Sequence, residues 1–209
     1  MNFEGKVAVI TGGAEGIGRC IGNEFIKAKA RVCIVDINDN PYFIGNIGNM
    51  DVLHSFVDKI IGDYGRVDFL INNAPPLMKG IDECSFDDFR NAMDVGVNAP
   101  FYLAKLFLPY FREGASIINI SSSRDRMSQP QTESYSAAKG GILALTHALA
   151  MSLKGRVRVN SISPGWIDTS DTANSGADAR QHPAGRVGTP LDIANMVLYL
   201  CSDKAEFIT

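Results

Sequence analysis

Lys6-Val7-Ala8-Val9-Ile10-Thr11-Gly12-Gly13-Ala14-Glu15-Gly16-Ile17-Gly18 begins as an apolar run too short for a helix and ends in a cluster of glycines. A run of this kind, bounded by glycines, reads as a strand buried on both faces. Glu15–Lys29 follows, with Ile17, Ile21, Phe25 and Ala28 at helical spacing, so strand, tight turn and helix come in that order. The alternation then continues along the chain. Strands are predicted at Arg31–Asp36, Tyr42–Ile47, Val67–Asn73, Ser116–Ser121 and Val157–Ser163. Helices are predicted at Met50–Tyr64, Phe86–Phe111, Ser134–Leu153 and Leu191–Cys201, the second of these interrupted at Gly96 and Pro100. Strands alternating with helices imply an α/β fold, a doubly wound parallel sheet with right-handed crossovers. No internal repeat or linker divides the chain, so residues 1–209 are expected to form one domain.

Composition narrows the function. The chain has 209 residues, 45% hydrophobic and 21% charged, with a formal net charge of −3. Its basic residues are spread thinly, which gives no field for holding a nucleic acid. No apolar run approaches the ~18 residues needed to cross a bilayer, and the first residues do not read as a signal peptide, so a cytoplasmic location is expected. Cys20, Cys33, Cys84 and Cys201 are far apart and read as small apolar residues; no metal site is expected. Thr169–Gln181 is small, polar and aperiodic, which suits a flap over a cleft, taken to extend over about 169–185.

Glycines between a strand and a helix let a pyrophosphate approach the backbone, where free N–H groups and the helix dipole face the anion. The pattern Thr11-Gly12-x-x-x-Gly16-x-Gly18 has that form. A P-loop reading fails, because Arg19 stands where that loop needs lysine and Cys20 where it needs a hydroxyl. Asp36 ends the second strand 24 positions beyond Gly12, where a carboxylate can accept both hydroxyls of an adenosine ribose. Its charge and that of Glu15 would meet a 2′-phosphate, so NAD is expected rather than NADP.

Tyr135 and Lys139 are four apart on a predicted helix and therefore share a face. Ser121-Ser122-Ser123 closes a strand at the carboxyl edge, where doubly wound sheets bind ligands. Together with Asn72-Asn73-Ala74 and Pro164-Gly165, these motifs resemble the short-chain dehydrogenase/reductase family over nearly the whole chain. The resemblance implies a Rossmann sheet of strand order 3-2-1-4-5-6 and an oxidoreductase acting on a small-molecule alcohol or ketone. It implies Tyr135 as general acid/base, Ser122 as holder of the substrate oxygen, and Lys139 as binder of the nicotinamide ribose that also lowers the tyrosine pKa. An ammonium about 4 Å away would lower that pKa by up to about three units before desolvation is subtracted. The implied cofactor wall comprises Gly12, Glu15, Gly16, Ile17, Gly18, Asp36, Ile37, Asn46, Ile47, Asn73, Ala74, Pro164, Gly165, Ile167 and Thr169, with Tyr135 and Lys139. A homodimer or homotetramer is also implied.

The chain departs from the family pattern at several points. The family's catalytic asparagine falls on Gly96, which keeps a backbone carbonyl for a proton relay, so Gly96→Asn is expected to leave activity equal or better. Pro75 replaces the usual glycine after Asn72-Asn73-Ala74. Between Asp36 and Asn46 there is too little chain for a crossover helix, and the family's seventh strand has no counterpart, which would leave the sixth with an open edge. These departures motivate a rival reading, a catalytically impaired dinucleotide-binding scaffold or regulatory protein. Arg124, Asp125 and Arg126 read either as a solvated charge cluster or as selectors of a polar substrate.

Overall fold

The computed structural model describes residues 1–170, 179–180 and 182–209. Six parallel strands form one sheet in the order β3-β2-β1-β4-β5-β6. They are β1 (Val7–Thr11), β2 (Arg31–Asp36), β3 (Phe43–Ile44), β4 (Val67–Asn72), β5 (Phe111–Ile120) and β6 (Val157–Ile162). The helices are α1 (Gly16–Lys27), α2 (Met50–Tyr64), α3 (Phe86–Met93), α4 (Ala99–Phe107), α5 (Glu133–Ser152) and α6 (Pro190–Cys201).

Alternation along β1 builds both layers at once. Val7 and Val9 join the core under α2 and α4, where Leu53, Phe56, Ile60, Leu103 and Phe107 pack. Ala8 and Ile10 join the opposite core under α1 and α6, with Ile21, Phe25, Ile193 and Val197. Every residue of β1 is buried, as a central strand covered on both faces requires.

The second crossover is made without a helix. Residues 37–42 carry the chain to a two-residue β3, in place of the longer strand expected over Tyr42–Ile47. Asn40 holds this short connection together: its Oδ1 accepts the N–H groups of Tyr42 and Phe43, each at 3.0 Å, and its Nδ2 donates to the Phe43 carbonyl at 2.9 Å. At the other edge, β6 is partly covered. Val159 N–H donates to Thr209 Oγ1 at 3.0 Å and Asn160 Nδ2 to the Ile208 carbonyl at 2.9 Å. The last two residues therefore take up part of the edge expected to stand open.

The expected Phe86–Phe111 helix divides into α3, a π-helical segment Asp94–Asn98, and α4, while Phe111 already begins β5. A π turn inserts one residue into the helical ladder, and here it places Gly96 against α5. A Cβ on Gly96 would lie 2.8 Å from Ala138 Cβ and 3.1 Å from Pro76 Cβ. This corrects the expectation that asparagine is harmless there, since the neighbours leave no room for its first carbon.

Close approach also governs the first turn. Gly12 adopts φ +67°, and a Cβ there would lie 2.6 Å from Ala74 Cα. A Cβ on Gly18 would collide with the Gly12 carbonyl oxygen and with Asn73 Nδ2. Gly62, exposed on α2, has nothing within 4 Å of its missing Cβ. Urea denaturation should separate the two cases: Gly18→Ala is expected to cost about 1–3 kcal/mol or prevent folding. Gly62→Ala should stabilise by up to about 1 kcal/mol. Equal stability of Gly18→Ala and the parent would contradict the close approach. Gly96→Asn should likewise lower the melting temperature and activity together, and retention of both would show that α5 yields easily at this point.

Candidate active site

A cleft of about 840 Å³ runs along the carboxyl ends of the strands. It is lined by Gly12, Glu15, Gly16, Ile17, Asp36, Ile37, Asn46, Ile47, Asn73, Ala74, Pro164, Gly165, Ile167 and Thr169, and also by Ser122, Tyr135 and Lys139. The structure thus brings together nearly all the residues singled out from sequence. Gly18 and Gly96 do not line the cleft. Gly18 is buried beneath the first turn and Gly96 behind Ala138, so each acts by giving room to its neighbours. Arg19, Asn91, Val95 and Trp166 line the cleft without having been foreseen. Of the proposed flap, Thr169 reaches the cleft and would contact a Cβ on Gly16 at 3.2 Å, whereas 171–178 and 181 lie outside the described residues.

The anion end is a backbone structure. The turn 12–15 leads into the N-terminus of α1, whose first N–H groups have no intrahelical partner and face the cleft side. Thr11 fastens this turn to β4: its Oγ1 accepts the N–H of Asn73 at 3.0 Å and of Ala74 at 3.1 Å. Asn73 Nδ2 answers by donating to the Thr11 carbonyl at 3.1 Å and the Gly12 carbonyl at 2.8 Å. The Asn73 amide nitrogen is therefore committed to holding the turn. Asp36 accepts Ala14 N–H on Oδ2 and Asn38 N–H on Oδ1, each at 2.9 Å, which orients the carboxylate at the end of β2.

At the other end, β5 delivers Ser122 and α5 delivers Tyr135 and Lys139. The Ser122 Oγ accepts Arg124 N–H at 3.2 Å at the start of a short 3₁₀ turn, Ser123–Asp125. Lys139 is 5% exposed, and its Nζ donates to the Ile120 carbonyl at 2.7 Å. That nitrogen stands 5.4 Å from the centroid of the Tyr135 ring. Burial pulls the Lys139 pKa down to about 8, opposed by the carboxylate of Asp125.

The electrostatics of the phenol differ from the sequence expectation. Burial raises the Tyr135 pKa above its ordinary value, and the groups opposing this are the Ser122 hydroxyl and the Arg124 charge. Lys139 is not among them. Spacing put the amine on the tyrosine's face, and there it donates to the Ile120 carbonyl, while desolvation of the phenol dominates its pKa. The cleft thus contains a protonated phenol, a serine hydroxyl and a buried amine at one end and an oriented carboxylate at the other. It can hold a dinucleotide and move one proton at the Tyr135 oxygen. Among the described residues no group of three His, Cys, Asp or Glu is placed to hold a metal ion, and no helix is long and apolar enough to cross a membrane.

Known proteins resemble both the sequence and the structure. A family model described as enoyl-(acyl carrier protein) reductase matches residues 12–209. An uncharacterized oxidoreductase of Thermotoga maritima is 39% identical, over 99% of this chain and 93% of its own. An apo SCOR enzyme of Clostridium thermocellum superposes with a TM-score of 0.91 at 41% identity, over 99% of this chain and 88% of that one. A blue fluorescent protein from a metagenomic library, solved in complex with NADPH, superposes with a TM-score of 0.91 at 27% identity, over 100% of this chain and 95% of its own. With its sheet order, its glycine turn and these relatives, the chain belongs to the short-chain dehydrogenase/reductase family of oxidoreductases, which bind a nicotinamide dinucleotide.

Proposed function

We propose that the protein is an NAD(H)-dependent oxidoreductase that interconverts a secondary alcohol and its ketone. The observation that carries this reading is the single cleft with Ser122, Tyr135 and Lys139 on one wall and the Asp36 carboxylate at its far end. When bound, the nicotinamide supplies the acceptor or donor of the hydride. The N-terminus of α1 and the turn 12–15 would face the pyrophosphate, and Asp36 the adenosine ribose. Ser122 holds the substrate oxygen by its hydroxyl. Tyr135 gives its phenolic proton to that oxygen in reduction and takes the hydroxyl proton in oxidation. A phenol is protonated at neutral pH and burial raises its pKa further, so the resting Tyr135 carries the proton that reduction consumes. Lys139 presents a buried cation to the ribose of the nicotinamide.

The choice of NAD over NADP rests on charge. Asp36 and Glu15 both line the cleft, and a 2′-phosphate beside Asp36 would place two anions together. Arg19 also lines the cleft, so a cation is near, but it is exposed on α1. A second reading, a dinucleotide-binding scaffold with little turnover, would rest on the replacement of the family asparagine by Gly96.

Substitution separates these readings. Tyr135→Phe should bind NADH as tightly as the parent while turnover falls by about 10²–10⁴-fold. Parental rates in that variant would remove Tyr135 from the chemistry, and a parent protein that binds NADH but turns over no alcohol or ketone would favour the scaffold. Fluorescence titration of Asp36→Ala should weaken NADH binding and narrow the preference over NADPH by about tenfold or more, one charge contact being worth over 1.4 kcal/mol here. An unchanged ratio would assign the choice to other residues.

A further inference from the structure

From sequence Asp125 reads as one of three charges that form either a solvated cluster or a selector of polar substrate, but its side chain is only 1% exposed. It lies behind the cleft wall, in the 3₁₀ turn between Ser122 and α5. Its Oδ2 accepts the hydroxyl of Ser163, just beyond β6, at 2.5 Å, and that of Ser121, just beyond β5, at 3.1 Å. Ser121 Oγ also lies 3.0 Å from the Lys139 carbonyl, and Asp125 N–H donates to the Ser122 carbonyl at 3.0 Å. One carboxylate thus joins the end of the strand that bears Ser122, the end of the strand that leads to Pro164 and Gly165, and the turn of α5 that bears Lys139.

A buried carboxylate needs a cation as well as hydrogen bonds. Arg126 is a poor one, with its Nε 3.9 Å away on a side chain 79% exposed. Lys139 is buried and, among the described residues, has no carboxylate in hydrogen-bond contact; its close partner is the neutral Ile120 carbonyl. The elements packed against α5 carry other charges, among them Arg124 on the 3₁₀ turn, Asp94 on the π segment and Arg158 on β6, while those of α3 pair with each other or with Lys79. None of these acts on Lys139 as Asp125 does, and Tyr135, one turn earlier on the same helix, is uncharged at neutral pH.

We propose that Asp125 is a positioning residue of the active site, the buried counter-charge that keeps the Lys139 ammonium ionised while its two serine contacts hold the ends of β5 and β6 in register. The proposal rests on the role of Lys139 in binding the dinucleotide. Loss of the carboxylate charge removes the anion that, among the described residues, favours the ammonium, so Lys139 gives up its proton at lower pH.

The test uses NADH or NADPH, whichever the parent protein binds, titrated by fluorescence from pH 6.5 to 10 in a Tyr135→Phe background, where the tyrosine cannot titrate. Affinity is expected to fall on the alkaline side as Lys139 loses its charge. Adding Asp125→Asn, which keeps an oxygen for both serine hydroxyls, should move that fall down by about one pH unit and weaken binding about tenfold at a fixed alkaline pH. At pH 6.5 the two proteins should bind within about threefold of each other. Superimposable profiles, or the lack of any alkaline fall, would overturn the proposal. So would equal weakening at every pH, which is what a purely structural contact produces. Asp125→Ala, which also loses the serine contacts, should show the same shift with a lower melting temperature. Failure of the wider reading looks different: no dinucleotide would bind at any pH.

Discussion

An ammonium group withdrawn from water loses more hydration free energy than one hydrogen bond returns, and Lys139 has been withdrawn almost completely. Its surroundings answer that loss in parts. The chain direction at the end of β5 aims the Ile120 carbonyl at Nζ, and the 3₁₀ turn that follows folds a carboxylate in behind it. Ser122 sits between these two elements, so the residue that would hold the substrate oxygen is placed by the same chain segment that satisfies the lysine. The tyrosine is one helical turn away, and its ring covers part of the amine. Packing, charge and chemistry at this end of the cleft are thus one problem with one solution.

The other end meets the opposite electrostatic demand by different means. Here the charge to be received is negative, and backbone supplies most of what meets it, through the free N–H groups at the start of α1. Backbone can do this only if the turn approaches β4 closely, which excludes a Cβ at Gly12 and Gly18 and commits the hydroxyl of Thr11 and the amide of Asn73 to holding the two strands together. Both ends lie at the carboxyl edge because every strand is parallel, so one sheet presents an anion-receiving turn and a proton-transferring pair to a single groove.

Periodicity carried the architecture, because β1, β2 and β4 to β6 are short apolar runs flanked by amphipathic helices, and that pattern has few other packings. Where length decided against pattern, the sequence reading slipped: Tyr42–Ile47 looks like a strand, but six connecting residues bring only Phe43 and Ile44 into register. The glycine turn, Asp36 and the Tyr135–Lys139 pair were legible because their spacing is itself the mechanism. Asp125 was not, since adjacent arginines make any aspartate look solvated and only the fold reveals that it points inward. The direction of the Tyr135 pKa was misjudged for a related reason. Residues four apart on a helix share a face, but nothing in that spacing reveals how deeply the fold buries the phenol, and burial is what raises its pKa.

Gly96 shows why absence of a family residue is weak ground for inferring lost function. Ser134 donates its hydroxyl to the Leu77 carbonyl and accepts Lys79 N–H, both at 2.8 Å, so the start of α5 is tied to the segment that carries Pro76. The π segment fits into the space between that segment and Ala138, and it fits because residue 96 has no side chain. Ala138 adjoins Lys139 on α5. A side chain at 96 would press on the helix that bears the lysine and tyrosine. Glycine here is what allows the π segment to approach α5, the helix that carries Tyr135 and Lys139. A chain that neither bound a dinucleotide nor catalysed would have little physical reason to keep a buried ammonium lining a cleft, because an apolar replacement is often neutral or stabilising.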